Sequence, residues 1–153
     1  MSKILDYIYE EVGRQGFNPW DHIGQRRVHW MKDAWEWARD QADKRVWPTI
    51  TDMEILGSKI EPDLNRKGFR TTMVMVGNRL CPAPLLIRPM LEDLRNEEGN
   101  LTPVEYYKRF ELVHPFVDGN GRTGKILLNW VNKSLDNPIF PPNDLWGSVI
   151  RNP

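Results

Sequence analysis

The stretch TPVEYYKRFELVHPFVDGNGRTGKILLNWV, residues 102–131, decides how this chain is read. It opens on Thr102, followed by Pro103 and Glu105. In such a box the Thr oxygen and the Glu carboxylate satisfy each other's free backbone amides, and Pro suits the first helical position. Tyr106, Phe110 and Val113 then fall on one helical stripe that runs towards His114. Gly119, Asn120 and Gly121 interrupt it, and Ile126, Leu127, Trp130, Val131 and Leu135 mark another helix. A helix, a tight glycine-rich loop and a second helix therefore form the centre of the fold.

Working outward from this centre, helical signals dominate. Ile4, Leu5, Ile8, Tyr9 and Val12 recur at helical spacing and predict a first helix. Asn18-Pro19 reads as a cap opening a helix-prone segment to about Arg45, with Trp30, Ala34, Trp37 and Ala38 on one face; Gly24 counts against an unbroken helix. Thr51 and Glu54 fit a second capping box for a short helix carrying Ile55 and Ile60 and ending near Pro62. The strand signal is Arg70 to Val76, largely β-branched, followed by Gly77-Asn78 as a two-residue turn and a return through Arg79, Leu80 and Cys81. Pro89 is placed at the start of the next helix, through Met90, Leu91 and Leu94, which runs out by Asn100. The Pro-rich tail from Asn137 to Pro142 should wrap the surface before a last turn at Leu145 and Trp146. The expected fold is mainly α, a helical bundle with one short β-hairpin. It forms a single domain over 1–153, with a core at about 49–135 and an N-terminal helical extension at 1–48.

Composition narrows the function classes. The 153 residues hold 21 Lys+Arg against 21 Asp+Glu, a balance that gives no electrostatic reason to expect nucleic acid or an anionic membrane as partner. One cysteine, Cys81, cannot form an intrachain disulfide. The start of the chain, with Asp6, Glu10 and Glu11, has no apolar signal-peptide core, so a cytoplasmic protein is the expectation.

The chemistry concentrates between His114 and Lys125. Gly119, Asn120 and Gly121 can take up conformations that let successive backbone N–H groups converge on an anion, and the following helix adds its positive end. Arg122 and Lys125 place two positive charges within a turn, which this reading takes as mobile. Asp118 is a hard oxygen ligand suited to Mg²⁺ held jointly with phosphate oxygens. His114 has the side chain whose ordinary pKa suits a proton acceptor near neutrality. Together these describe a phosphate-transfer site. Gly119 to Lys125 also matches the start of a P-loop, but Ile126 stands where Ser or Thr would hold Mg²⁺, and the preceding segment is helical.

His-Pro-Phe-Val-Asp-Gly-Asn-Gly-Arg, residues 114–122, resembles the signature of Fic-domain proteins, H-x-F-x-[D/E]-G-N-G-R-x-x-R, at all nine leading positions. The resemblance extends to the hairpin preceded by Gly68-Phe69-Arg70 and to the helix after it. It implies a nucleotide-transferring enzyme that moves AMP from ATP to a Ser, Thr or Tyr hydroxyl of a target protein. His114 would be the general base and Asp118 the Mg²⁺ ligand. Gly119, Asn120 and Gly121 would form the anion hole, the Asn120 amide also touching phosphate; Arg122 would hold the distal phosphates and Phe116 would anchor the loop. The hairpin 70–81 would be a flap that registers the target segment by main-chain pairing. Gly119 and Gly121 point away from the kinase branch of the family, which has other residues there.

Lys125 departs from the family's second arginine, keeping the charge but losing the planar fork on phosphate oxygens. The departure leaves UMP, phosphate or phosphocholine transfer open. The family's self-inhibitory motif is absent, which leaves either a separate antitoxin-like inhibitor chain or no restraint at all. A different class, a catalytically silent binding protein on the same fold, is suggested by Trp20, Trp30, Trp35, Trp37 and Trp47, crowded into one region.

Overall fold

Six helices and one hairpin make up the described part of the computed structural model, residues 2–146. In chain order they are α1 (Ser2–Arg14), α2 (His22–Ala42), α3 (Ile50–Ile60), β1 (Met75–Val76), β2 (Arg79–Leu80), α4 (Pro84–Asn96), α5 (Pro103–Val113) and α6 (Asn120–Val131). The mainly helical expectation holds, and the hairpin turns at Gly77-Asn78 with Met75 opposite Leu80 and Val76 opposite Arg79. Its ladder is only two residues per strand, extended by a Cys81 N–H that donates to the Val74 carbonyl at 3.0 Å. Among the described residues no helix is long and apolar enough to cross a membrane.

Helix α6 is the axis of the molecule. Every residue from Asn120 to Trp130 is buried, and the helix packs on α5, α3 and α2. A helix buried all round has no polar face for solvent, so its polar residues must find partners inside. Helices α1 and α2, expected as an extension, feed Ile4, Tyr7, Ile8, Val12, Val28, Met31, Ala34 and Trp35 into the same core as Phe110, Phe116 and Trp130.

Several boundaries differ from the sequence reading. The cap of α2 is Asp21, whose side chain accepts from the Gly24 N–H, and Asn18-Pro19 forms the turn before it. Its buried stripe is Gly24, Val28, Met31, Ala34, Trp35 and Ala38; Trp30 and Trp37 are only half-buried, and Trp20 is 75% exposed. Gly24 is a packing residue, since a Cβ there would lie 1.7 Å from the Asn18 carbonyl oxygen. The capping box of α3 is Thr49 with Asp52, two residues before the one expected, because Asp52 also receives Arg45 at 2.7 and 3.0 Å. Helix α4 starts at Pro84 and carries Pro89 inside it. The N–H that Pro89 lacks would have served Leu85, which is almost fully exposed, so water can satisfy that carbonyl. The capping box at Thr102 and Glu105 forms as read.

Candidate active site

Helix α5 ends on His114, whose backbone is left-handed with φ 51° and ψ 62°. That conformation is costly for a non-glycine residue, and Pro115 then prevents the helix from continuing. The turn throws the chain into a loop whose geometry is fixed from inside. The Asn120 side chain closes a ring with Phe116: its Oδ1 accepts from the Phe116 N–H at 2.9 Å and its Nδ2 donates to the Phe116 carbonyl at 3.0 Å. Phe116 is wholly buried, its ring tilted against Phe69 and seated on Gly57, where a Cβ would come within 2.2 Å of the ring. Asn65, also buried, donates from Nδ2 to the Asp118 carbonyl at 2.8 Å and to the Gly57 carbonyl at 2.9 Å. Gly119, at φ 77°, is the cap from which α6 starts.

Asp118 lies at the solvent edge of this loop, its side chain 46% exposed. Its Oδ1 accepts from the Gly119 N–H at 2.8 Å, while Oδ2 accepts no hydrogen bond among the described residues and lies 3.8 Å from Arg122 Nη2. Val117 beside it is exposed, whereas Gly119, Asn120 and Gly121 are buried. The first amides of α6 have no intrahelical partners by construction, so the loop brings a carboxylate oxygen to the positive end of a helix.

The two cations occupy different places from those expected. Arg122 is 1% exposed and ion-paired with buried Glu61 at 2.9 Å, its guanidinium 5.3 Å from the Phe17 ring centre. Glu61 also receives Arg27 Nε and Nη2, at 3.0 and 3.2 Å. Arg122 Nε and Nη1 are buried without a hydrogen-bond partner among the described residues. Lys125, likewise 1% exposed, points the other way to Glu11, with 3.3 Å between Nζ and Oε2. Neither is a mobile surface charge. The reason is the burial of α6 on every side, which leaves long cationic side chains no route to water and pairs them with carboxylates from α1 and from the end of α3. Asn120 also differs: both polar ends of its side chain are committed to Phe116, so the backbone of the loop is what remains to face an anion.

His114 is partly buried, and its pKa is lowered from 6.5 to about 4. Burial is the main cause, followed by the nearby charges of Arg70 and Arg79; Asp118 acts in the opposite direction. The imidazole is therefore neutral at pH 7 and able to accept a proton. Its Nδ1 is buried without a hydrogen-bond partner among the described residues.

The donor set fits Mg²⁺ in one particular way. No group of three or more His, Cys, Asp or Glu side chains placed to hold a metal occurs among the described residues. A single carboxylate with an uncommitted oxygen suits a magnesium ion whose other ligands are phosphate oxygens and water. Asp118 fits that role.

Sequence reasoning missed the contacts made by Asn65, Glu61 and Arg70, which hold the loop, the first turn of α6 and the end of α5, and by Glu11 and Glu111 around Lys125. Apart from Arg70, in the Gly68-Phe69-Arg70 run before the hairpin, none belongs to a local motif, and the roles of all five depend on contacts across the fold. Gly57 carried the one available signal, a glycine within the α3 pattern that turns out to be the seat of Phe116.

The fold and this loop define a Fic-type protein. The Fic/DOC family model matches residues 54–131, half of the chain, and the chain belongs to that family. It is 38% identical over 96 residues to a probable protein adenylyltransferase of Aquifex aeolicus, covering 56% of this chain and 30% of that protein. It is 43% identical over 84 residues to the protein adenylyltransferase fic-1 of Caenorhabditis elegans, covering 48% of this chain and 16% of that one. The chain thus spans less than a third of the length of these relatives. Among solved structures, a Fic family protein from Desulfovibrio desulfuricans superposes with a TM-score of 0.68 at 16% identity, covering 86% of this chain and 48% of the other. Residues 134–508 of Fic-1 from C. elegans superpose with a TM-score of 0.63 at 23% identity, covering 90% and 43%. At these identities the two superpositions establish the fold.

Proposed function

We propose that this protein transfers AMP from ATP to a hydroxyl group of a target protein. The observation that carries the reading is the junction of α5 and α6, where a neutral imidazole on a left-handed cap, a half-exposed carboxylate and the amide end of a buried helix meet within one loop. Relatives named as protein adenylyltransferases support the same chemistry.

In this reaction the target's hydroxyl oxygen forms a bond to the α-phosphorus of ATP. The bond from that phosphorus to the bridging oxygen breaks, and pyrophosphate leaves with the electron pair. His114 takes the hydroxyl proton. A polyphosphate beside the ring raises its proton affinity from that low value, as any nearby anion does. The amides at the start of α6 stabilise charge on the phosphates, the kind of preorganised electrostatics that dominates such transfers. Bound Mg²⁺ would neutralise phosphate charge, with Asp118 as its protein ligand. Asn120 and Phe116 keep the loop rigid, and Arg122 fixes the first turn of α6 through Glu61. The hairpin 70–81 would receive the target segment by strand addition, and an inhibitor chain would act as a further partner.

Transfer of another group, UMP or phosphate or phosphocholine, is a second reading favoured by one observation. Lys125 replaces the family's second arginine and is spent on Glu11, so grip on a terminal phosphate is altered. The test is incubation of the purified chain and a lysate with labelled ATP, followed by intact-mass measurement of the modified protein. AMP transfer predicts the AMP increment; a phosphate or UMP increment selects the second reading. No turnover dependent on Asp118 leaves the silent binding protein.

A further inference from the structure

The hairpin is too short to hold itself in place. Two residues per strand give little ladder, and isolated two-stranded ribbons are marginal even when longer. Its position is set by Arg70, which is 2% exposed and runs a set of bonds across the base of the hairpin. Nη1 donates to the Thr72 carbonyl at 2.9 Å on the outgoing side, and Nη2 donates to the Pro82 carbonyl at 2.7 Å on the returning side. The same side chain reaches the end of α5. Nε donates to the His114 carbonyl at 2.7 Å, and Nη2 to the Val113 carbonyl at 3.2 Å. The Arg70 backbone N–H donates to the Pro115 carbonyl at 2.9 Å. Arg79, from the hairpin's return strand, adds a bond from Nη1 to the Leu112 carbonyl at 3.1 Å.

Four consecutive carbonyls, Leu112 to Pro115, are thus taken up by the hairpin and its leading residue. Leu112 and Val113 belong to the last turn of α5 and His114 is its cap, so their carbonyls are among those a helix C-terminus leaves unpaired, at the negative end of its dipole; the Pro115 carbonyl lies just beyond. Among the described residues Arg70 makes no ion pair, so the carbonyls alone offset the cost of burying its charge. Only a planar fork with several donors can span both hairpin ends and the helix end; a lysine has one nitrogen to offer.

We propose that Arg70 is a positioning residue that locks the hairpin and His114 into one unit, so that a target segment seated along the hairpin is registered against the base. This rests on the transfer reading above for its purpose, but its physical core, a coupling between hairpin and imidazole, does not need that reading. The charges facing His114 agree with it: Arg70 and Arg79 from the hairpin side favour the neutral ring, and Asp118 from the loop favours the charged one.

The experiment compares Arg70→Gln with Gly77→Val in the intact chain, without nucleotide. Gly77 has φ 59° with open space around it, so valine strains the turn and loosens the hairpin without touching Arg70. Amide exchange across the hairpin and an NMR titration of His114 are the two readouts. Both variants should lose about tenfold or more of hairpin protection. Arg70→Gln should move the His114 titration upward, by about half a pH unit or more, and Gly77→Val by less, since it loosens Arg79 but leaves Arg70 in place. In labelling, Arg70→Gln should raise KM for the protein target while affinity for an ATP analogue stays within about twofold. If Arg70→Gln leaves exchange and titration at wild-type values, or if Gly77→Val shifts the titration equally, the proposal is overturned. Should Arg70→Gln give no cooperative unfolding transition, Arg70→Lys replaces it; lysine retaining wild-type hairpin protection would also overturn it. A wild-type chain that never labels refutes the transfer reading alone, because exchange and titration are read without turnover.

Discussion

Asn120 spends its entire side chain on the backbone of Phe116, and that economy sets what a mutation there does. Asn120→Ala leaves a buried N–H and a buried carbonyl without partners, which costs about 1–3 kcal/mol for each group left unsatisfied. Urea unfolding should therefore show a loss of that order, and labelling should fall with it because the loop loses its shape. Gly57→Ala attacks the same loop from below by pushing on the Phe116 ring, and overpacking of this kind costs about 1–3 kcal/mol. His114 makes a prediction about pH. Its pKa is about 4 in the folded chain against 6.5 as the reference, so the unfolded chain binds a proton first as pH falls. The stability it contributes is complete above pH 6.5 and is lost as pH falls through 6.5 towards 4. Thermal unfolding of His114→Gln should show a shallower decline over that window than the parent; an identical decline would mean that the ring titrates normally.

The elements show which features a local reading could reach. The capping box at Thr102, the hairpin turn at Gly77-Asn78 and the stripe of α5 were legible because each is fixed by residues three or four apart. The start of α4 was not, since Pro89 looks like a first residue until an exposed Leu85 shows that its missing bond costs little. In α2, two tryptophan-bearing stripes compete at helical spacing, and only packing against α3, α1 and α6 selects the one through Trp35. Gly24 illustrates the limit best. Its cost as a helix residue is visible in sequence, while its benefit, the close approach of the Asn18 carbonyl, exists only after folding. Gly24→Ala should accordingly destabilise the chain in spite of alanine's better helix propensity, whereas Gly13→Ala, with nothing near, should stabilise it by a few tenths of a kcal/mol up to about 1. Urea midpoints of the two variants would separate these effects. In the site, the types and order of His114, Asp118 and the glycines were legible from the motif. The direction taken by Arg122 and Lys125 was not, because it depends on carboxylates far away in sequence.

At the scale of the whole molecule, the axis helix carries a buried charge balance on each side. On one side Glu61 meets Arg122 and Arg27; on the other Lys125 meets Glu11, with Glu111 fully buried nearby. Two carboxyls facing one ammonium leave an excess negative charge, and burial pushes Glu111 well above the usual carboxylate range. Among the described residues neither of its oxygens has a hydrogen-bond partner, and that together with the upward shift favours the protonated form. A raised carboxyl contributes most below its unfolded pKa and loses that contribution as pH rises. Glu111→Gln should match the parent near pH 4 and exceed it at pH 8 by about 1 kcal/mol or more, measured by unfolding at both pH values. A surface cavity of about 650 Å³ lies at the other end of α6 beside Trp130 and Lys133, away from the loop.

The central claim, that the α5–α6 loop moves a nucleotide to a hydroxyl with His114 as base, is tested most directly by intact-mass analysis of target protein treated with ATP and magnesium. The parent chain should add the mass of AMP, and His114→Ala should add nothing while keeping a cooperative unfolding transition. Equal modification by the alanine variant would contradict the account.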